Sequence, residues 1–312
     1  MRIDLVSKEY PPAIYGGAGV HVAELVKVLR KEVEVQVRCF GSDRGEKDTT
    51  AYQHPSEFDS ANAAIQTLAT DLKMVQDVAG ADLVHSHTWY ANYAGQVAGD
   101  LHRIPHVITA HSLEPLRPWK EEQLGGGYRV SSWIERTAYE SATRIIAVSD
   151  GMRKDILRAY PQLDPEKVVV VHNGIDLDAF QQVADQELVR GLGIDPDARS
   201  VVFVGRITQQ KGLPYLLKAA RELPKDVQLV LCAGAPDTKE IQNLVIDLVE
   251  ELKKERDNVI WIERHLSRGE LIAVLSSATI FACPSIYEPL GIVNLEAMAC
   301  SLPVVATATG GI

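Results

Sequence analysis

Short runs of Val, Ile and Leu alternate with helical stretches along the whole chain, and this alternation constrains the fold more than any other feature. In the first half the runs fall at residues 3–6, 33–37, 83–85, 106–109, 144–148 and 168–171, with a helix over about 20–30 after the first. Strands this uniformly apolar must be covered on both faces, so the pattern predicts a parallel sheet between two helical layers. A polar stretch, 176–199, reads as a linker with one short helix. The pattern then restarts at 201–204, 228–231, 259–262, 280–282 and 303–306, with a helix over 240–256. The expected fold is α/β, two doubly wound Rossmann-like parallel-sheet domains, 1–180 and 181–312. Ligands of such sheets bind beyond the carboxyl ends of the strands, which places the expected site in a cleft between the two domains. Gly310-Gly311 after the last strand should lead into another helix, so the second domain reads as incomplete.

Composition narrows the function. The formal net charge is −10 over 312 residues. An acidic chain lacks the broad basic surface that nucleic acid or an anionic membrane requires, although a small anion needs only a local cluster of cations and N–H groups. No run of about 18 uncharged apolar residues suggests a membrane span, and the apolar start is too short, and broken by Asp4, for a signal peptide. Cys39, Cys232, Cys283 and Cys300 are widely spaced in apolar surroundings and read as reduced core thiols. These features together predict a cytoplasmic protein. They leave the oligomeric state open.

Four segments carry candidate chemistry. Tyr10-Pro11-Pro12 through Gly16-Gly17-Ala18-Gly19 lies between the first strand and the first helix. It is either a tight turn or a loop that brings N–H groups to an anion at a helix N-terminus. It is neither GxGxxG nor a Walker A sequence, which argues against a nicotinamide dehydrogenase. Gly205-Arg206 with Lys211-Gly212 follows the first strand of the second half; its two cations are either solvated or able to reach a diphosphate. Glu288 and Glu296 are separated by seven residues. With Pro289 in the first helical turn, Glu288 would lie before the helix and Glu296 inside it. The pair either complements the helix dipole or holds sugar hydroxyls, and the N–H groups of Leu290, Gly291 and Ile292 would face an anion. His111 follows a strand end, where it is either structural or placed for a ligand. His85 and His87 follow another strand, but no companion carboxylate spacing accompanies them, and no metal is expected.

In this order the segments resemble the retaining glycosyltransferases of family four, which have the GT-B fold. Glu288-Pro289-Leu290-Gly291-Ile292-Val293-Asn294-Leu295-Glu296 is similar to that family's E-x7-E element, and Arg206 and Lys211 to its phosphate-binding cations. His172-Asn173-Gly174-Ile175-Asp176 resembles the segment leading out of the first domain. A narrower similarity, in 10–21 and in His111-Ser112-Leu113-Glu114-Pro115-Leu116-Arg117-Pro118-Trp119-Lys120, is to the actinobacterial-type glycogen synthases, a group that includes maltose-1-phosphate synthases. The first loop has Ile14 where starch synthases carry Lys. Near the strand end where they carry an Asp, this chain has His87-Thr88-Trp89.

The resemblance implies a glucosyl donor, ADP-glucose or UDP-glucose, an acceptor that is an α-1,4-glucan or glucose 1-phosphate, and no cofactor or metal. Arg206 and Lys211 would neutralise the departing diphosphate. Gly16 and Gly17 would lend N–H groups to the phosphates. Glu288 would contact the donor glucose and Glu296 the ribose, and His111 would sit beside the donor sugar. Other donors or acceptors within the family, or a fragment that binds nucleotide sugar without turnover, remain the alternatives. Family members extend well beyond Gly310-Gly311.

Overall fold

The computed structural model describes residues 1–312. They divide into two compact units, Met1–Asn173 and Gly174–Ile312. The division falls at 173/174, rather than at 180/181 as the sequence suggests, because Phe180 is buried in the core of the second unit with Ile175 and Ala179 packed beside it.

The first unit runs β1 (Arg2–Ser7), α1 (Gly17–Leu29), β2 (Glu34–Phe40), β3 (Thr49–Tyr52), α2 (Ala63–Asp77), β4 (Leu83–His87), α3 (Trp89–His102), β5 (His106–Ala110), α4 (Lys120–Leu124), α5 (Gly127–Ser141), β6 (Arg144–Ala147), α6 (Asp150–Ala159) and β7 (Val168–Val170). Its seven strands lie in the order β3-β2-β1-β4-β5-β6-β7, all parallel. The strand β3 is absent from the sequence-based expectation. Its Thr-Thr-Ala-Tyr sequence has no apolar run, because an edge strand need not be apolar on both faces.

The second unit runs α7 (Gln186–Gly191), β8 (Ser200–Arg206), α8 (Leu213–Ala219), β9 (Gln228–Gly234), α9 (Lys239–Glu255), β10 (Val259–Ile262), α10 (Arg268–Ser277), β11 (Ile280–Cys283), α11 (Ile292–Ala299) and β12 (Val304–Ala306). Its sheet order is β10-β9-β8-β11-β12, again all parallel. Successive side chains alternate between the faces: Val202 and Val230 enter one core, Phe203, Leu229 and Leu231 the other. The helix α9 buries Ile241, Val245, Val249 and Leu252 on one stripe and is capped by the Thr238 side chain. Each fully buried Leu or Phe of these faces contributes about 1.5–3 kcal/mol.

In both sheets the strand order reverses beside the first strand, between β1 and β4 and between β8 and β11. The loops leaving those strands diverge to opposite faces and leave a crevice at the carboxyl edge, where ligands of open α/β sheets bind. The four cysteines are buried and unpaired. No helix is long and apolar enough to cross a membrane.

Candidate functional site

In the second unit the crevice is built by the loops after β8 and β11. Gly212 has φ +64, and a Cβ there would lie 2.0 Å from the carbonyl oxygen of Pro284. Only glycine allows the two loops to approach so closely. The Ile286 N–H donates to the Gln210 carbonyl at 2.9 Å, joining them further. This contact brings two residues that are 77 positions apart together: Lys211 Nζ lies 2.7 Å from Glu288 Oε2. The same carboxylate oxygen accepts from Ser285 Oγ at 2.9 Å.

Glu288 is also held from behind. Gly310 has φ +61, and its Cβ position is 2.0 Å from the Glu288 carbonyl oxygen, which accepts the Gly311 N–H at 2.8 Å. The Gly-Gly turn after β12 thus clasps Glu288. Arg206, at the end of β8, donates from Nη1 to the buried Asp237 at 2.7 Å. Both cations are therefore anchored by carboxylates, and neither is a loosely solvated surface charge.

The helix α11 begins at Ile292, with Gly291 before it at φ +88. This corrects the expectation that Pro289 occupies the first helical turn: the positive φ at Gly291 breaks the helical path, so Pro289 and Leu290 stay in the loop. Glu288 still precedes the helix and Glu296 still lies within it. The N–H groups of Leu290, Gly291 and Ile292 stand at the N-terminal end of α11, where no preceding turn supplies acceptors. Glu296 is buried, and burial pushes its carboxyl up to about 7, against the opposing pull of Arg268 and Lys211. Asn294, one turn from Gly291, is buried as well, with its Oδ1 unsatisfied.

The first unit gathers a different set. After β1, Gly16 precedes α1 and Gly17 is its first residue. The expectation that both lend N–H groups to phosphates needs correcting at Gly16. Its N–H donates to Glu9 Oε2 at 2.8 Å, and the Tyr15 N–H reaches the same oxygen at 2.7 Å. A carboxylate of the chain already occupies that turn. Gly19 is required there, since a Cβ would lie 2.6 Å from Glu9 Oε2.

His111 follows β5 and meets His87, the last residue of β4, with His111 Nε2 3.0 Å from His87 Nδ1. His21, one turn into α1, sets its ring edge-on to His111, the centroids 4.8 Å apart. Ligating atoms of His21, His87 and His111 all lie within 4.8 Å of one another. His85, which the sequence groups with these, is turned to Thr109 Oγ1 at 2.8 Å. Burial pulls the imidazoles down, to about 4 for His21 and about 3 for His85, and well below the usual range for His87 and His111. Neighbouring imidazoles add to the effect at the last three. All are neutral at pH 7. The sequence does not single out His21. The available signal is its place one turn into a helix whose start must lie at the carboxyl edge of the sheet.

A buried network that the sequence also leaves unmarked fixes the segment after His111. The Glu114 N–H donates to Glu135 Oε1 at 2.9 Å, and Ser131 Oγ donates to Glu114 Oε2 at 2.6 Å. Tyr160 donates to Glu135 at 2.6 Å, and Arg117 pairs with Glu114. Burial raises the Glu135 carboxyl, reinforced by the Glu114 charge.

These two sites sit in matched frames. The Glycosyltransferase Family 4 model matches residues 15–179, and the Glycosyl transferases group 1 model matches residues 184–312. An alpha-maltose-1-phosphate synthase of Mycolicibacterium smegmatis is 54% identical over 316 residues, spanning all of this chain and 81% of the relative. Among solved structures, Anabaena HepE in complex with UDP and glucose superposes with a TM-score of 0.77 at 22% identity, covering 100% of this chain and 82% of that one. The sucrose-phosphate synthase of Thermosynechococcus elongatus gives 0.77 at 24%, covering 99% and 82%. At such identities these two show the fold alone, the GT-B pairing of Rossmann-like domains. With both units matched in order, and with more than half of the residues identical to a relative across the whole of this chain, it belongs to the family-4 glycosyltransferases.

Proposed function

We propose that this glycosyltransferase moves glucose, with retention of configuration, from ADP-glucose to the 4-hydroxyl of glucose 1-phosphate, forming α-maltose 1-phosphate. The observation that carries the reading is the 54% identity along the entire chain to an alpha-maltose-1-phosphate synthase.

The residues of the second unit suit the donor half of that reaction. As the glycosidic bond breaks, negative charge builds on the diphosphate. Lys211 and Arg206 stabilise it in place, since both are pre-anchored and need no reorganisation at the moment of reaction. An ammonium has three N–H donors; Lys211 spends one on Glu288 and has others for phosphate oxygens. Glu288, fixed by Lys211, Ser285 and the Gly310-Gly311 clasp, accepts from hydroxyls of the donor glucose. Glu296 accepts from the ribose, and the N–H groups at the start of α11 face the phosphates. For His111 and Gly17 of the first unit, the family resemblance implies contacts with the donor sugar and with the phosphates. The acceptor 4-hydroxyl forms the new bond on the face that the phosphate leaves, and a phosphate oxygen takes its proton. The balance is ADP-glucose plus glucose 1-phosphate giving ADP plus maltose 1-phosphate. No metal takes part in this scheme.

An α-1,4-glucan acceptor is the second reading, favoured by the similarity of residues 111–120 to glycogen synthases. Coupled measurement of ADP release separates the two. Glucose 1-phosphate should support faster turnover than glycogen at equal glucosyl concentration, and ADP-glucose should outperform UDP-glucose. Faster turnover with glycogen would transfer the assignment to the glucan synthase.

A further inference from the structure

The three imidazoles of the first unit make up a set that the proposed transfer does not need. From the geometry we infer that His21, His87 and His111 form a binding site for one divalent transition-metal ion of the zinc class.

The ligands come from three separate elements: α1, the end of β4 and the residue after β5. Each is fixed by its own backbone, so the cluster is not an accident of one flexible loop. Their ligating atoms lie within 4.8 Å of one another, and the His87–His111 pair is at 3.0 Å. A tetrahedral ion with nitrogen bonds of 2.0–2.1 Å holds its ligands about 3.3 Å apart. The His87–His111 pair must open by a few tenths of an ångström, and His21 must swing inward. In the metal-free protein the close nitrogens of His87 and His111 share one proton, and the ion takes its place.

A second observation points the same way. His87 is completely buried, yet its Nε2 has no hydrogen-bond partner. An unsatisfied polar atom at such depth is the kind that an ion or water from outside the chain completes. The set is wholly nitrogen, which suits zinc, cobalt, nickel or copper and disfavours the oxygen-seeking magnesium and calcium. His21 and His111 are only half-buried and mark the side from which an ion enters. Three protein ligands leave a fourth position open to solvent.

A metal here takes His111 away from the donor sugar, so occupation inhibits transfer. That consequence rests on the proposed function; the site itself does not. The test is titration of the metal-stripped full chain with Co²⁺, following visible absorption. We expect one equivalent to produce an intense tetrahedral d–d band that Zn²⁺ abolishes and Mg²⁺ does not. His21→Ala, a change on a half-buried helix position, should weaken binding by about tenfold or more while the thermal midpoint stays put. Zn²⁺ inhibition of turnover should weaken in the same variant. Absence of the band, a weak octahedral spectrum, or a band unchanged in His21→Ala would overturn the site. If no turnover with glucose 1-phosphate accompanied a normal Co²⁺ band, the proposed function would fail while the site stood.

Discussion

At the scale of single residues, the ion pair of Lys211 and Glu288 ties the two loops of the second unit together. Removing Lys211 takes away a phosphate partner and also leaves Glu288 nearly buried with only Ser285 beside it. Lys211→Ala should therefore lower kcat about 10²–10³-fold, the usual effect of losing one pre-placed donor to transition-state charge. Urea unfolding of Lys211→Ala, Glu288→Gln and the double variant should give a coupling of about 1–3 kcal/mol. Additive losses would mean that the pair does not hold together in solution. The residue types and their spacing were legible in the sequence. Their pairing across 77 positions was not, because it depends on the approach of the loop at Gly212 to Pro284, which no local pattern records. The Glu9 carboxylate at Gly16 was hidden for a similar reason. The turn reads as a phosphate cradle until the chain is seen to fold its own carboxylate into it.

Glu296 makes a pH-dependent prediction at the same scale. Its carboxyl is raised from 4.5 to about 7. Between these values the folded unit holds a proton that the unfolded chain has lost, so stability falls as pH rises from about 4.5 through 7. The penalty at pH 8 is on the order of 3 kcal/mol. Glu296→Gln should be more stable than the parent at pH 8 and nearly equal to it at pH 4.5, in urea melts of both. Equal stability at pH 8 would show that the carboxyl is not raised. The same substitution removes an ionised acceptor and should weaken ADP binding.

At the scale of elements, glycines outside the chemistry set its geometry. Gly310→Ala adds a Cβ that would fall 2.0 Å from the Glu288 carbonyl oxygen, at a φ of +61 that alanine resists. The clasp on Glu288 must shift, and a misplacement of about 1 Å can cost 10²-fold in rate. Gly310→Ala should lose rate on that order although it deletes no functional group. Gly269→Ala, in the first turn of α10 with nothing within 4 Å of its Cβ position, serves as the control and should leave rate and stability within about 0.5 kcal/mol of the parent. Equal rates in the two variants would show that the clasp does not position Glu288. Strands with continuous Val and Ile were all visible in the sequence, because burial on both faces leaves that trace. The edge strand β3 was not visible. The start of α11 was displaced by three residues, because Pro289 is equally at home in a loop and the positive φ of Gly291 is a conformation, not a composition.

At the scale of the whole molecule, buried imidazoles dominate the acid response of the first unit. His21, His85 and His106 are lowered to about 4, 3 and 3 by burial. The unfolded chain takes up protons at these positions as pH falls through 6.5, while the folded unit refuses them until about pH 4. Burial also raises the carboxyls of Asp71 and Glu135, which opposes this loss, but the five lowered imidazoles, His87 and His111 included, outnumber them, so the first unit should lose net stability as pH falls from 6.5. Over the same range Glu296 favours the second unit. Hydrogen exchange read unit by unit, after correction for the intrinsic pH dependence, should show protection fading first in residues 1–173. Earlier loss in residues 174–312 would contradict the burial of the histidines.

The two-sheet organisation was legible from the repeated pattern, and the family from ordered motifs. The histidine cluster was not, because its members stand on three elements that only the folded sheet brings together.

Nuclear magnetic resonance of this chain's reaction with ADP-glucose and glucose 1-phosphate reads both the product and the geometry of its new linkage. ADP and a disaccharide phosphate with a new α-1,4 linkage should form without added metal. Release of free glucose, a β linkage, or an unchanged mixture that turns over only when glycogen is supplied would contradict it.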